Sequence, residues 1–297
     1  MYKQIAANRQ KTWLLIIGFL TLIIIAGYFA SVYWNNPSIL ILAVTVSVGM
    51  SWGSYFVGDR MILSLSGAKL VDHDADIKQR QIIHLVENLC ITAGLPTPKV
   101  YLIKDIAPNA FAVGRDPKHA SIALTVGLVD KLDKVELEGV IAHELAHIKN
   151  YDILLITVVI TLLGVITLLA DWMWRGRMFG GQNSNGKNSS NNVLLLVGLV
   201  LMILSPIFAR LIYFAISRQR EYLADANGVL LTRYPEGLTS ALKKISDDKN
   251  QLRLANRATA GLYIVNPFRK MSGVTVELWS THPPIQKRIV ALTHMNV

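Results

Sequence analysis

The sequence predicts a membrane protein that combines α-helical spans with an α+β domain. Of its 297 residues, 52% are hydrophobic and only 17% are charged, whereas a soluble domain has about a quarter charged residues. The apolar residues are concentrated in four long blocks, and helical and strand-like patterns occupy the polar segments. We therefore expect an N-terminal transmembrane hairpin and an α+β domain that a second hydrophobic helix pair interrupts.

The first two blocks predict the hairpin, residues 13–58. Trp13–Trp34 contains no charged residue and is long enough for a helix to cross a hydrocarbon core of about 30 Å. A short turn at Asn35-Asn36-Pro37 separates it from the second block, Ser38–Val57. A cleaved signal peptide is the alternative for the first block, but its apolar stretch is longer than a signal peptide needs.

Positive charges predict the orientation and the partner surface. The N-terminal segment, residues 1–12, carries Lys3, Arg9 and Lys11 without an acidic residue, so the positive-inside rule places it in the cytoplasm of a multi-pass protein of the inner (plasma) membrane. The formal net charge of +10 is attributed to anionic lipid, because no nucleic-acid-binding motif accompanies it.

The second hydrophobic pair, residues 153–216, predicts two further spans. Its blocks are Ile153–Trp172 and Val193–Ile216, joined by a polar loop over residues 173–192 that is rich in Gly, Asn and Ser. The loop also carries three cationic residues. A pair that dips into the membrane or packs on itself is therefore the alternative to full crossing.

The remaining segments, residues 59–152 and 217–297, are predicted to be two cytoplasmic parts of one α+β domain. The expected helices and strands follow from hydrophobic periodicity and turn residues; they are helices Ala75–Thr92, Lys134–Lys149, one from about Ser217, and Pro235–Lys249, with strands Lys99–Ile103, Asn109–Val113 and Ser121–Thr125. A single cysteine, Cys90, excludes an internal disulfide framework and a cysteine-based zinc site.

A metal site is predicted in the segment VIAHELAHIKN. His143 and His147 are four residues apart, so on a helix they project from one face and can bind one metal ion. Glu144 follows the first histidine, in the position of a general base. The alternative is an ordinary amphipathic helix with surface histidines, but so apolar a helix buries polar groups at a cost unless something pairs them.

A catalytic zinc needs a third protein ligand, and the segment SRQREYLADANG offers one. Glu221 and Asp225 are four residues apart on a predicted helix. Glu221 is the expected ligand, and Asp225 is the expected acceptor for the second ring nitrogen of a metal-binding histidine. A solvated helix with ordinary surface charges is the alternative.

These segments resemble a known family. HELAH, a hydrophobic pair and then REYLADANG, together with NAFAVG and THPPIQKRI, are similar to the HtpX-type membrane-bound zinc metalloproteases, which are related to CAAX prenyl proteases. The resemblance implies a zincin-like catalytic domain facing the cytosol, with one Zn²⁺ per chain on His143, His147 and Glu221, Glu144 as base and Asp225 in support. It also implies polypeptide substrates, mainly damaged or misfolded membrane proteins, and a role in the stress response.

Three further residues gain a role from this resemblance. Asn109 opens a strand similar to the family's edge strand beside the active site, where an extended substrate can pair; a plain internal strand is the alternative. His282 and Arg288 are candidates for stabilising the oxyanion, although by sequence alone they are a loop residue and a solvated charge.

Two rival functions follow from the same residues. A non-catalytic membrane scaffold with a structural zinc needs four protein ligands, and no fourth is evident. A CAAX-type prenyl-protein processing protease shares the chemistry but differs in its substrate. The sequence implies no particular oligomeric state.

Overall fold

The computed structural model describes residues 2–72, 76–164, 218–253, 259–265 and 283–295. Helices and strands alternate irregularly along these ranges. In chain order they are α1 (Tyr2–Tyr33), α2 (Ser38–Phe56), α3 (Gly58–Leu65), β1 (Ala68–Leu70), α4 (Ile77–Ala93), β2 (Lys99–Ile103), β3 (Ala110–Gly114), β4 (Ala120–Thr125), α5 (Val126–Lys131), α6 (Lys134–Lys149), α7 (Asp152–Gly164), α8 (Arg218–Thr232), α9 (Pro235–Asp247) and α10 (Ile285–Thr293).

Helices α1 and α2 form the predicted hairpin, and both are long and apolar enough to cross a membrane. The first helix begins at Tyr2 rather than at the start of the apolar block. The segment before Trp13 contains no Gly or Pro, so nothing interrupts the helix. The basic N-terminal segment is thus a rigid extension of the first span.

Helix α7, the described part of the third hydrophobic block, turns away from α6 by 82°. Tyr151 at the bend has φ +59, a left-handed conformation that stops α6. Apolar side chains of α7 pack against Ile16 and Phe19 of α1, so this part of the block is buried within the protein. The predicted crossing of the whole pair involves residues 165–217, which lie outside the described ranges.

A four-stranded mixed sheet has the order β1-β2-β4-β3. Strands β2 and β4 are parallel, and the other two pairings are antiparallel. Alternate residues of β4 face opposite sides: Ile122 and Leu124 join the main core under α4, α6 and α9, whereas Ala123 joins a second core. In that second core Phe111 meets Tyr263 edge to face at 5.3 Å. The sheet supports α6 from one side.

Candidate metal centre

Helix α6 carries the two histidines and is fixed at its N-terminus by a capping box. Asp133 accepts from the Glu136 backbone N–H at 2.9 Å, and Glu136 accepts from the Asp133 N–H at 2.9 Å. The carboxylate of Glu136 also accepts from Ser240 and Lys244 of α9, each at 2.6 Å. Nearly every later residue of α6 is buried, so the helix cannot rotate without breaking the core.

Helix α8 lies against α6 because a glycine permits a close approach. A Cβ atom at Gly228 would lie 3.0 Å from the backbone nitrogen of His143. Glu221 and Asp225 precede this glycine by about two turns and one turn of the helix, so they face α6 as well. Both carboxylates are buried.

The structure brings His143, His147 and Glu221 together. The two Nε2 atoms are 3.2 Å apart, and the Glu221 carboxylate oxygens lie 3.8 Å from His143 Nε2 and 3.7 Å from His147 Nε2. One ligand atom from each residue lies within 4.8 Å of the others. Two imidazole nitrogens and one carboxylate directed at a common centre fit a zinc ion with an open coordination position.

Asp225 orients His143 from the other side of the ring. Its Oδ1 atom is 2.9 Å from His143 Nδ1, and Arg288 donates to both of its oxygens, at 2.8 and 2.6 Å. Burial would raise the pKa of Asp225, but the Arg288 guanidinium and His143 hold it below the usual range. A carboxylate at this place keeps the proton on Nδ1 and leaves Nε2 free to bind a metal.

Asp152 performs the equivalent task for His147, although no residue spacing in the sequence predicts this role. Its Oδ2 atom is 3.0 Å from His147 Nδ1, and its Oδ1 atom accepts from Arg220 at 2.9 Å and from Asn8 at 2.7 Å. The available signal was an acidic residue at the opening of an apolar block. Helical spacing does not predict this contact, because Asp152 reaches the His147 ring only through the bend between α6 and α7.

The electrostatics of the site favour a bound cation and a basic carboxylate. Burial would lower the pKa of His147, but the hydrogen bond to Asp152 and the nearby carboxylates raise it to about 9. A metal ion would supply the positive charge that this environment favours. Burial raises the pKa of Glu144, against the effect of the two histidines, and a raised pKa suits a general base.

The other predicted site residues lie as follows. Arg288 is fully buried, with its guanidinium on Asp225 and one nitrogen 3.5 Å from Glu221. The side-chain amide of Asn109 donates to the Val265 carbonyl at 2.8 Å, so it ties the start of β3 to a later segment. His282 lies outside the described residues. The roles of His282 and Arg288 at the oxyanion and of Asn109 in substrate pairing remain predictions.

Strand β3 is an edge of the sheet in the part of the chain that the structure describes. Both ends of its outer edge have partners: the Ala110 carbonyl accepts from the Ile264 N–H at 3.1 Å, and the Gly114 N–H donates to Thr157 at 3.2 Å. Pairing of an extended substrate with the middle of this strand remains a prediction.

Comparison with known proteins identifies the family. Residues 76–296 match the family described as Peptidase family M48. The chain belongs to peptidase family M48. This M48 peptidase is accordingly a metalloendopeptidase, and its described residues include a group of two histidines and a glutamate that could hold a metal ion and two helices long and apolar enough to cross a membrane.

Curated relatives confirm the HtpX-type resemblance over the full chain. A protein named Protease HtpX homolog from Dictyoglomus thermophilum is 43% identical over 99% of this chain and 95% of its own length. A second so named, from Tropheryma whipplei strain Twist, is 40% identical over 100% of this chain and 99% of its own length. This M48 peptidase therefore aligns with such relatives from end to end.

A solved structure shows the same fold. The crystal structure of S. mikatae Ste24p is similar with a TM-score of 0.50 at 17% sequence identity, over 99% of this chain and 67% of that chain. At this identity the likeness extends to the fold alone. It agrees with the helix-rich architecture and small mixed sheet of this M48 peptidase.

Proposed function

We propose that this metalloendopeptidase uses Zn²⁺ to hydrolyse peptide bonds in misfolded or damaged membrane proteins at the cytoplasmic face of the inner membrane. The observation that carries the chemistry is the convergence of His143, His147 and Glu221 beside the buried carboxylate of Glu144. A zinc ion held by these residues would act as a Lewis acid on the scissile carbonyl and make water more acidic.

The residues of the chain divide the remaining work. Glu144 takes a proton from water as it attacks the carbonyl carbon and delivers the proton to the leaving amine. Asp225 and Asp152 hold the two imidazoles in the tautomer that leaves Nε2 available. Burial of the whole group lowers the local dielectric constant and strengthens each of these interactions.

The geometry supports cleavage near the membrane. Asp152, which contacts His147, is also the first residue of α7, and α7 packs on the first membrane helix through Leu154 and Val158. The metal site is therefore held close to the end of a span. Asn8, in the basic N-terminal extension of that span, touches Asp152, which favours placing the site on the cytoplasmic side with the N-terminus.

Two carboxylate substitutions test the proposed chemistry. Glu144→Gln keeps the shape of the side chain but removes the base, so zinc stays bound while peptide cleavage slows by at least about 10²-fold. Glu221→Gln removes an anionic ligand, so zinc affinity falls and activity falls with it. The measurements are zinc content after dialysis and the rate of casein cleavage by the purified full-length protein in detergent.

Glu138→Gln is the matched control, since it makes the same change on the same helix at a partly exposed position. It should leave both quantities unchanged. A Glu144→Gln protein that loses zinc, with a Glu221→Gln protein that keeps zinc and full activity, would reverse the two roles. Zinc retention by an inactive Glu144→Gln protein also separates the enzyme from the non-catalytic scaffold.

The substrate class needs a separate experiment. Reconstituted protein is given a destabilised multi-span membrane protein, the same protein in its folded state, and a farnesylated CAAX peptide. Preferential cleavage of the destabilised protein is the expected result. Preferential cleavage of the farnesylated peptide would favour the prenyl-processing alternative instead.

A further inference from the structure

One side chain of the first membrane helix reaches the metal centre. Asn8 lies one turn before the apolar block and is only 3% exposed. Its amide nitrogen donates to Asp152 Oδ1 at 2.7 Å and to the Asn150 carbonyl at 2.9 Å. Its amide oxygen accepts from Arg220 at 3.2 Å. Its three side-chain hydrogen bonds are thus directed at the bend between α6 and α7 and at the start of α8.

These partners are the ones that fix His147. Asp152 offers its second oxygen to the ring of His147, and Arg220, one residue before the proposed ligand Glu221, holds the same carboxylate at 2.9 Å. The Asn150 carbonyl lies at the C-terminal end of α6. Carbonyl groups at this end of a helix have no N–H partner within the helix, so they need a donor from elsewhere. Asn8 is therefore bonded at once to the end of the metal-binding helix, to the acid that orients its second histidine, and to the helix that carries the third ligand.

We propose that Asn8 is a positioning residue that holds Asp152, and through it the ring of His147, so that the first membrane helix is mechanically coupled to the metal centre. This inference rests on the proposed zinc site. The sequence separation of 144 residues between Asn8 and Asp152 means that the coupling exists only when the first membrane helix is docked on the catalytic domain.

Neighbouring contacts reinforce this docking. The Arg9 guanidinium lies 5.8 Å from the centre of the Tyr151 ring at the bend, within the range of a cation–π contact. Thr12, one turn after Asn8, is fully buried and donates to the Asn8 carbonyl at 2.9 Å. The cation–π contact therefore joins α1 to the bend a second time, whereas the hydroxyl bond of Thr12 lies within α1.

The test measures zinc affinity by chelator competition, together with kcat and KM for a peptide substrate, on the full-length protein in detergent. Asn8→Ala should weaken zinc binding about tenfold, the lower end of the effect seen for residues that support metal ligands. The kcat value should fall while KM stays the same, because substrate contacts are untouched. Gln10→Ala, at an exposed position of the same helix, is the control and should leave zinc affinity unchanged.

A double-mutant cycle separates positioning from a general loss of stability. Asp152→Ala alone should weaken zinc binding, and adding Asn8→Ala to it should produce no further loss, since Asn8 acts through Asp152. Unchanged zinc affinity in Asn8→Ala, or equal losses with and without Asp152, would overturn the inference. His143→Ala tests the underlying site independently: if that variant kept its zinc, the proposed function itself would fail, whatever Asn8→Ala showed.

Discussion

Each histidine of the centre has its own carboxylate, and each carboxylate has its own arginine. Arg288 holds Asp225 from α10, and Arg220 holds Asp152 from α8. The arginines keep buried acids ionised in surroundings that would otherwise favour their neutral form. We therefore expect metal affinity to depend also on residues that do not touch the metal.

The pair of Arg288 and Asp225 yields a prediction about stability. Arg288→Met leaves a fully buried carboxylate without its counter-ion, which costs about 3–5 kcal/mol. Thermal unfolding in detergent should show a lower midpoint, whereas Lys287→Met, the same type of change at an exposed neighbour, should not move it. The double variant with Asp225→Asn should recover much of the stability but not the zinc affinity. If Arg288→Met unfolded at the wild-type temperature, the pair would not be stabilising the fold.

At the scale of elements, α6 approaches α8 and α9 closely at two glycines, and the approach to α9 is close enough to exclude a Cβ atom. A Cβ atom at Gly139 would lie 2.7 Å from the backbone nitrogen of Leu238 in α9. Backbone atoms cannot rotate aside as the end of a side chain can. This contact fixes the spacing between the metal-binding helix and the helix that helps to cap it.

Gly139→Ala should therefore destabilise the protein although alanine is the better helix former. Overpacking of this kind costs about 1–3 kcal/mol, whereas the same change at an open helical position gains about 1 kcal/mol. Gly53→Ala in α2 is the matched control, because no atom lies within 4 Å of its added Cβ. Unfolding midpoints of the two variants should shift in opposite directions. A Gly139→Ala protein as stable as wild type would show that α9 can move away freely.

Elements with a clear hydrophobic pattern and clear end signals were predictable from the sequence, and the others were not. Strand β2 and helix α6 have the predicted bounds, because each combines strong periodicity or β-branched residues with clear end signals. Strand β1 has only three residues, too few to show alternation. Helix α10 was also not predicted, although Pro284 directly precedes it.

The residues of the candidate site also divide into those that the sequence predicts and those that it does not. Four-residue spacings on single helices indicate two pairs of candidate site residues: His143 with His147, and Glu221 with Asp225. Asp152 and Asn8 reach the site through a bend and through the docking of a distant helix. No local pattern in the sequence encodes such tertiary contacts.

At the scale of the whole molecule, the contact between Asn8 and Asp152 has a consequence for membrane topology. We therefore expect the N-terminal end of α1 and the metal centre to lie on the same side of the membrane, and the turn between α1 and α2 to lie on the opposite side. The single native thiol, Cys90, leaves room for a direct test: it is 1% exposed, and burial, with Glu87 nearby, raises its pKa to about 11. A buried thiol with so little thiolate reacts slowly.

Cysteines introduced one at a time should therefore report topology without interference. Asn36→Cys, in the exposed turn, should react with a membrane-impermeant maleimide in intact cells. Gln10→Cys should react only after permeabilisation. The extent of labelling on a gel is the measurement, and labelling of Gln10→Cys in intact cells would place the N-terminus and the metal centre outside.

The position of Glu136 and Arg288 in the chain also has a consequence for how the protease is made. Glu136, part of the capping box of the metal-binding helix, accepts from Ser240 and Lys244, and Arg288 approaches His143 from 145 residues further along the chain. At ribosomal speeds of about 5–20 residues per second, the second half of the site follows the first by on the order of 10 s. A nascent chain that already contains His143 and Glu144 still lacks Glu221. Its metal centre is therefore incomplete at that stage of synthesis. Translation therefore supplies the third predicted ligand only after the two histidines have been made.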